Sequence, residues 1–173
     1  MKFPKTIAIC ATLMCGAMPL MAQQVSTNVV ASETAWSVFE ETQGCWAVAT
    51  AKESVNKRDG KVVAVRRGDI LLYVTYVPSQ NVAGQVSFTG GYPFKDNSTI
   101  TVDVDGSKFE FFVQGEWAWT KSKDDDAKVI AAMKRGSNAV ISAQSSRGTK
   151  TSDTFSLLGF TAATDEAAKR CSG

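Results

Sequence analysis

The chain of 173 residues contains no histidine. Ser-His-Asp and Cys-His nucleophilic systems therefore cannot be built from it, and the commonest metal ligand is missing. Chemistry is left to carboxylates, cysteines, tryptophans and arginines. Asp103, Glu110 and Glu116 fall on candidate strands. A carboxylate glycosidase needs two such acids on facing surfaces about 5 to 9.5 Å apart, but acids on the water side of a strand are ordinary, and no catalytic residue is assigned.

The run "GEWAW" sets Trp117 and Trp119 on one face of a strand, which is how a sugar-stacking platform is written and equally how a core is written. Core is the expectation for at least one of them, because tryptophans supply large buried areas. Trp36 and Trp46 read as stronger core candidates, each lying within an apolar alternation. Lys57, Arg58, Lys61, Arg66 and Arg67 make a candidate positive patch for an anionic partner, interrupted by Asp59 and Asp69. Arg67-Gly68-Asp69 reads as a tight strand connection rather than a recognition tripeptide. Trp117, Trp119, Arg66 and Arg67 together form the candidate binding surface. "DVDG" lacks the further ligands of a calcium loop, so no metal and no cofactor is assigned.

The elements that must position these residues begin after a leader. "MKFPKTIAICATLMCGAMPLMAQQ" has Lys2 and Lys5, an apolar run from Ile7 to about Met21, and a small residue, Ala22, before polar Gln23 and Gln24. That pattern predicts a secretory signal peptide over residues 1–22. Gly16 and Pro19 break the run, which is also short for a bilayer span of about 20 residues. The mature chain is thus expected to have no transmembrane segment. Residues 23–33 are expected as a flexible arm, and residues 34–173 as one domain.

Cleavage changes the charge and the sulfur content. The whole chain has 19 Lys and Arg against 17 Asp and Glu, and the leader removes two lysines and no acid, which leaves the two signs equal. A neutral mature chain gives no support for nucleic-acid binding. Cys10 and Cys15 also depart, leaving Cys45 and Cys171. Two cysteines in an exported chain are most simply one disulfide. Such a bridge closes a long loop, which in the chain-entropy picture stabilises the fold by up to about 4 to 5 kcal/mol.

Between Ala35 and Leu158, short β-branched and aromatic runs are separated by turn residues at intervals of roughly ten, the pattern of antiparallel β proteins. Asp105-Gly106 and Asp59-Gly60 suit type I′ hairpins. Alternation puts Ile100, Val102 and Val104 on one face and Thr101 and Asp103 on the other. "SKDDDAKVIAAMKRG" predicts a surface helix, with Ser122 before Asp125 in a capping-box-like spacing and Val129, Ile130 and Met133 facing the sheet. Asp124, Asp125 and Asp126 read as acids matched to the helix dipole. The tail "FTAATDEAAKRC" predicts a second short helix that ends at the bridge. The fold class is all-β, an antiparallel β-sandwich of about 8–10 strands with one or two short helices.

The segments "TAWSVF", "CWAVA", "RRGDILLYV", "VSFTGGYPF", "DDAKVIAAMKRG" and above all "SLLGFTAATDEAAKRC" resemble the invasion-associated locus B family of exported alphaproteobacterial proteins. The resemblance spans roughly Thr34 to Cys171. It implies a compact antiparallel sandwich and a periplasmic or secreted protein without known enzymatic activity. It also implies a non-catalytic role in binding a protein or glycan of the cell envelope. A carbohydrate-active module, lectin-like or a weak carboxylate hydrolase, is the alternative.

Overall fold

The computed structural model describes residues 28–172. The expected signal peptide and the first residues of the expected arm lie outside the described residues. Twelve strands follow in chain order: β1 (Val29–Glu33), β2 (Trp36–Glu41), β3 (Gly44–Thr50), β4 (Glu53–Arg58), β5 (Lys61–Val62), β6 (Leu71–Val77), β7 (Val82–Thr89), β8 (Thr99–Val104), β9 (Ser107–Gln114), β10 (Trp117–Trp119), β11 (Asn138–Gln144) and β12 (Lys150–Ser156). Two helices, α1 (Lys123–Met133) and α2 (Phe160–Arg170), complete the all-β class expected from the sequence. The count exceeds ten because short pieces pair as strands of their own. Val29–Glu33 was expected as arm, yet it hydrogen-bonds to β2. Of "KVVAVRR" only Lys61 and Val62 pair, and "KFEFFVQGEWAW" folds back on itself as β9 and β10.

All pairings are antiparallel, in the order β1-β2-β3-β6-β7-β10-β9-β8-β11-β12-β4-β5. Two strands near opposite ends of this order, β3 and β4, are joined directly by chain. β3 runs through Ala51 and Lys52 into β4, and at that point its partner changes: Ala51 N donates to Ile70 O (3.2 Å), whereas Lys52 N donates to Thr154 O (2.8 Å). One bent stretch thus serves β6 on one side and β12 on the other. The sheet curls into two facing layers, with this stretch as the corner.

Side chains that point inward alternate along the strands with those that do not, except where a register shift at Thr75/Tyr76 interrupts β6. Ile100, Val102 and Val104 are buried on β8, as are Leu72 and Val74 on β6, and Val86 and Phe88 on β7. Phe88 meets Phe155 of β12 edge to face, with ring centroids 6.0 Å apart, which ties the two layers together. Each fully buried side chain of this size contributes about 1.5–3 kcal/mol.

The hairpin turns form where the sequence places them. Asp59 and Gly60 have φ of 49° and 77°, and Asp105 and Gly106 have 45° and 97°, the positive pair that a type I′ turn needs. Asp103 Oδ1 accepts from Gly106 N at 2.7 Å and holds the second turn closed.

Helix α1 starts at Ser122, whose Oγ accepts from Asp125 N at 3.2 Å. Val129 and Met133 are buried against the sheet, and Ile130 is half-buried. Asp124, Asp125 and Asp126 all lie in the first turn of the helix, as read. Asp126 has a further role: it is buried, and its Oδ1 accepts from Val86 N (2.8 Å) and Thr120 Oγ1 (2.7 Å). It fastens the helix to β7. Burial raises its pKa above the usual carboxylate value, and the two hydrogen bonds oppose that rise.

Helix α2 has no side-chain cap. It is held by tertiary contacts: Phe160 packs on Trp36 at 4.9 Å between centroids, Ala163 and Ala167 are buried, and Cys171, the residue after the helix, is bonded to Cys45 of β3 with Cα atoms 5.9 Å apart. The bridge spans 126 residues of sequence. It ties the end of α2 to β3, and the helix packs over β2 and β3.

Candidate functional site

The residues expected to form one binding surface separate into two places. Trp117 and Trp119 do share a strand face, but neither is core: Ala118 between them is fully buried, and Trp117 is 38% exposed. The inward position of β10 goes to alanine, so both indole rings stand on the outer face. They lie nearly parallel, 6.4 Å apart with 22° between ring planes.

Register brings further aromatics to the same face. Trp119 is opposite Phe112 on β9 and Ser87 on β7, and Ser87 is opposite Tyr73 on β6. Trp119 and Phe112 rings are 5.6 Å apart, and Trp117 and Tyr73 rings 5.5 Å. Phe112 is 39% exposed. Ser87 and Thr89 occupy the intervening positions on β7, and both are buried although they are on the outer face. Small residues beneath flanking rings leave the rings themselves at the surface. Burial and then the Asp69 carboxylate raise the Tyr73 pKa. The band offers flat apolar rings with a hydroxyl donor at one side, a surface suited to the face of a sugar or the apolar side of a protein segment.

Trp46, expected in the core, is half-buried on this outer face, opposite Phe39 and Thr75. Cys45 beside it points inward to the bridge, and neighbours in a strand point opposite ways. Trp36 is core, as expected, with its Nε1 donating to Ser156 O at 3.0 Å.

Arg66 is exposed, but Arg67 is not a surface residue. Its side chain is 6% exposed and makes a two-pronged pair with fully buried Asp153, Nη1 to Oδ1 and Nη2 to Oδ2, each 2.7 Å. Nε donates to Gly90 O at 2.8 Å, and Nη1 also reaches Asn56 Oδ1 at 3.2 Å. The guanidinium lies 4.8 Å from the centre of the Tyr92 ring. A charge taken from water survives only with such matching. Gly68 follows with its N–H on Gly91 O at 2.9 Å. A Cβ at Gly91 would come within 2.5 Å of Gly68 backbone, and Gly91 has φ of 69°, so the Arg67-Gly68-Asp69 segment is a close backbone crossing.

Of the three acids weighed for hydrolysis, the β8–β9 register brings Asp103 and Glu110 to one face as diagonal neighbours, about 7–8 Å apart at the usual strand spacing, and leaves Glu116 away from both. Asp103 serves the β8–β9 turn. Glu110 sits on β9 opposite Thr101. Glu116 lies beyond the other end of β9, in the turn before Trp117, about 25 Å from the Asp103 end at the usual rise per strand residue. No group of three or more acidic or cysteine side chains among the described residues is placed to hold a metal ion, and no helix among them is long and apolar enough to cross a membrane.

Phe112, Tyr73, Phe39 and Trp46 were absent from the sequence-based surface. Their strands could be read, but the strand order that sets β10 between β7 and β9 could not.

The family described as Invasion associated locus B (IalB) protein matches residues 34–168. The crystal structure of invasion associated protein B from Bartonella henselae is similar, with 16% sequence identity and a TM-score of 0.56 over 83% of this chain and 98% of that one. At that identity the likeness concerns the fold. No curated protein matches the chain.

Proposed function

The chain belongs to the invasion associated locus B family, and from that premise we propose that it is an exported, non-catalytic binding module of the cell envelope, periplasmic or secreted. Its aromatic face would take a glycan or protein partner. The observation that carries this reading is the outward band of Trp117, Trp119, Phe112 and Tyr73. Monomeric surfaces rarely leave neighbouring large rings in water without a use.

Export is supported by the leader pattern of residues 1–22 and by the Cys45–Cys171 bridge, since disulfides persist in oxidising compartments. Against the hydrolase alternative, Glu116 is far from Asp103 and Glu110, and Asp103 Oδ1 is taken up by the Gly106 N–H of the β8–β9 turn. The lectin-like alternative shares the aromatic face. The host-entry role that gave the family its name is not carried over, because no feature of the face specifies a host molecule.

The test is titration of the folded protein with a panel of soluble glycans while tryptophan fluorescence is followed. In parallel, a photo-crosslinking residue at position 110, exposed on β9 on the same face as Phe112, would be used in envelope preparations. A saturable spectral shift, or a discrete crosslinked partner, with loss in Trp117→Ala or Trp119→Ala, is the expected result. If both folded variants behave as the parent in both assays, the aromatic face is not the binding surface.

A further inference from the structure

Next to the buried Arg67 lies a cleft of about 480 Å³ at one end of the sandwich, a volume suited to a small ligand. Its lining includes four arginines, Arg58, Arg66, Arg67 and Arg147, with one carboxylate, Glu116, among the described residues. Arg67 supplies the floor and is neutralised by Asp153. The other three are at the rim and make no ion pair among the described residues.

Arg58 is nonetheless held in place. Its Nη2 donates to Thr149 Oγ1 at 2.7 Å, and Thr149 is itself buried, with its N–H on Ser145 Oγ at 3.1 Å. A neutral hydroxyl therefore orients this guanidinium without cancelling its charge. Three unpaired guanidinium groups against one carboxylate give the cleft a local positive excess in a chain whose two signs are otherwise balanced once the leader is removed. Arginine forks match tetrahedral oxyanions with paired N–H donors, and a concave site strengthens the field at its mouth. The wall adds hydroxyls from Ser146 and Thr149 and an apolar side from Val65 and Pro93.

We propose that this cleft binds a phosphate or sulfate ester through Arg58, Arg66 and Arg147. Glu116 opposes the anion and limits affinity, and the Arg67–Asp153 pair keeps the floor rigid. The site is separate from the aromatic face, although Glu116 immediately precedes Trp117, so one extended ligand could engage both.

Calorimetric titration of the disulfide-bonded protein with inorganic phosphate, inorganic sulfate and glucose 6-phosphate tests the site. Cosedimentation with vesicles of phosphatidylcholine, with and without phosphatidylglycerol, tests a headgroup source. Saturable binding that weakens with salt, falls at least tenfold in R66A/R147A and tightens in Glu116→Gln is the expected result. Preference for the sugar phosphate assigns a soluble source, and binding confined to the anionic vesicles assigns a lipid headgroup. Trp117→Ala should leave phosphate binding intact, so failure of the aromatic reading would not be mistaken for failure of this one. No saturable binding to any probe at millimolar concentration, or equal affinity in parent and R66A/R147A with both folded by circular dichroism, overturns the proposal.

Discussion

At the Arg67 end of the sandwich a charged side chain is buried, whereas on the β10 face two of the largest apolar side chains meet solvent. Composition alone would assign these roles the other way round. Arg67 is interior because Asp153, Gly90 O and Asn56 meet its donors from three separate segments of chain. Trp117 and Trp119 are exterior because Ala118, between them, holds the inward position. The difference teaches that burial follows the available partners and the strand register, with residue type acting only as a bias. It also separates two kinds of arginine: one used by the fold, and three left with charge to offer a ligand.

The contrast can be broken most forcefully at its buried end. Asp153→Ala would leave Arg67 enclosed without its counter-charge and should cost about 3–5 kcal/mol, read as a lower midpoint in urea unfolding. A loss below 1 kcal/mol would mean that Arg67 swings out to water and that the pair is not structural. Replacing both Cys45 and Cys171 with alanine should cost about 2–5 kcal/mol by freeing the long loop. Protease cleavage should then begin near α2, and unchanged stability would show that Phe160 on Trp36 suffices to hold the helix.

A smaller effect belongs to Asp126, the other buried carboxylate. Asp126→Ala strands the Val86 N–H and should cost about 1–3 kcal/mol. Asp126→Asn keeps an Oδ1 acceptor for both donors and has no charge to bury. Because the folded pKa of Asp126 is raised, its stabilising share is greatest below the ordinary carboxylate value and is lost as pH rises through the folded value. The asparagine variant should therefore gain on the parent as pH rises from about 3 toward neutrality. A difference in melting temperature that stays flat over that range would refute the assignment.

The smallest stability effect is expected at the exposed end. Trp117→Ala should cost about 1 kcal/mol, the loss of its contacts with Tyr73 and Trp119, while removing partner binding. A cost several times larger would place Trp117 in the structural interior after all.

Much of this molecule can be read from local pattern. The Asp-Gly turns, the Ser122 cap and the alternation of β8 each involve residues a few positions apart, and each forms as read. Trp46 reads as core from its apolar neighbours and lies instead on the outer face, because Cys45 beside it turns inward to reach Cys171. Arg67 gave no local signal. Its partner is 86 residues away, and in the sequence it stands next to exposed Arg66 with the same charge and nearly the same neighbours.

The sequence by itself determined the strand pattern, the two hairpin turns and the helix start at Ser122, because these depend on residue type and short spacing. Tertiary structure alone decided which side of β10 is the core side, which strands lie beside it, and which arginine meets a carboxylate. A period of two sorts the side chains of one strand into two faces but carries no information about which face is covered or which strand comes to lie alongside. Those outcomes are set by contacts between residues far apart in the chain.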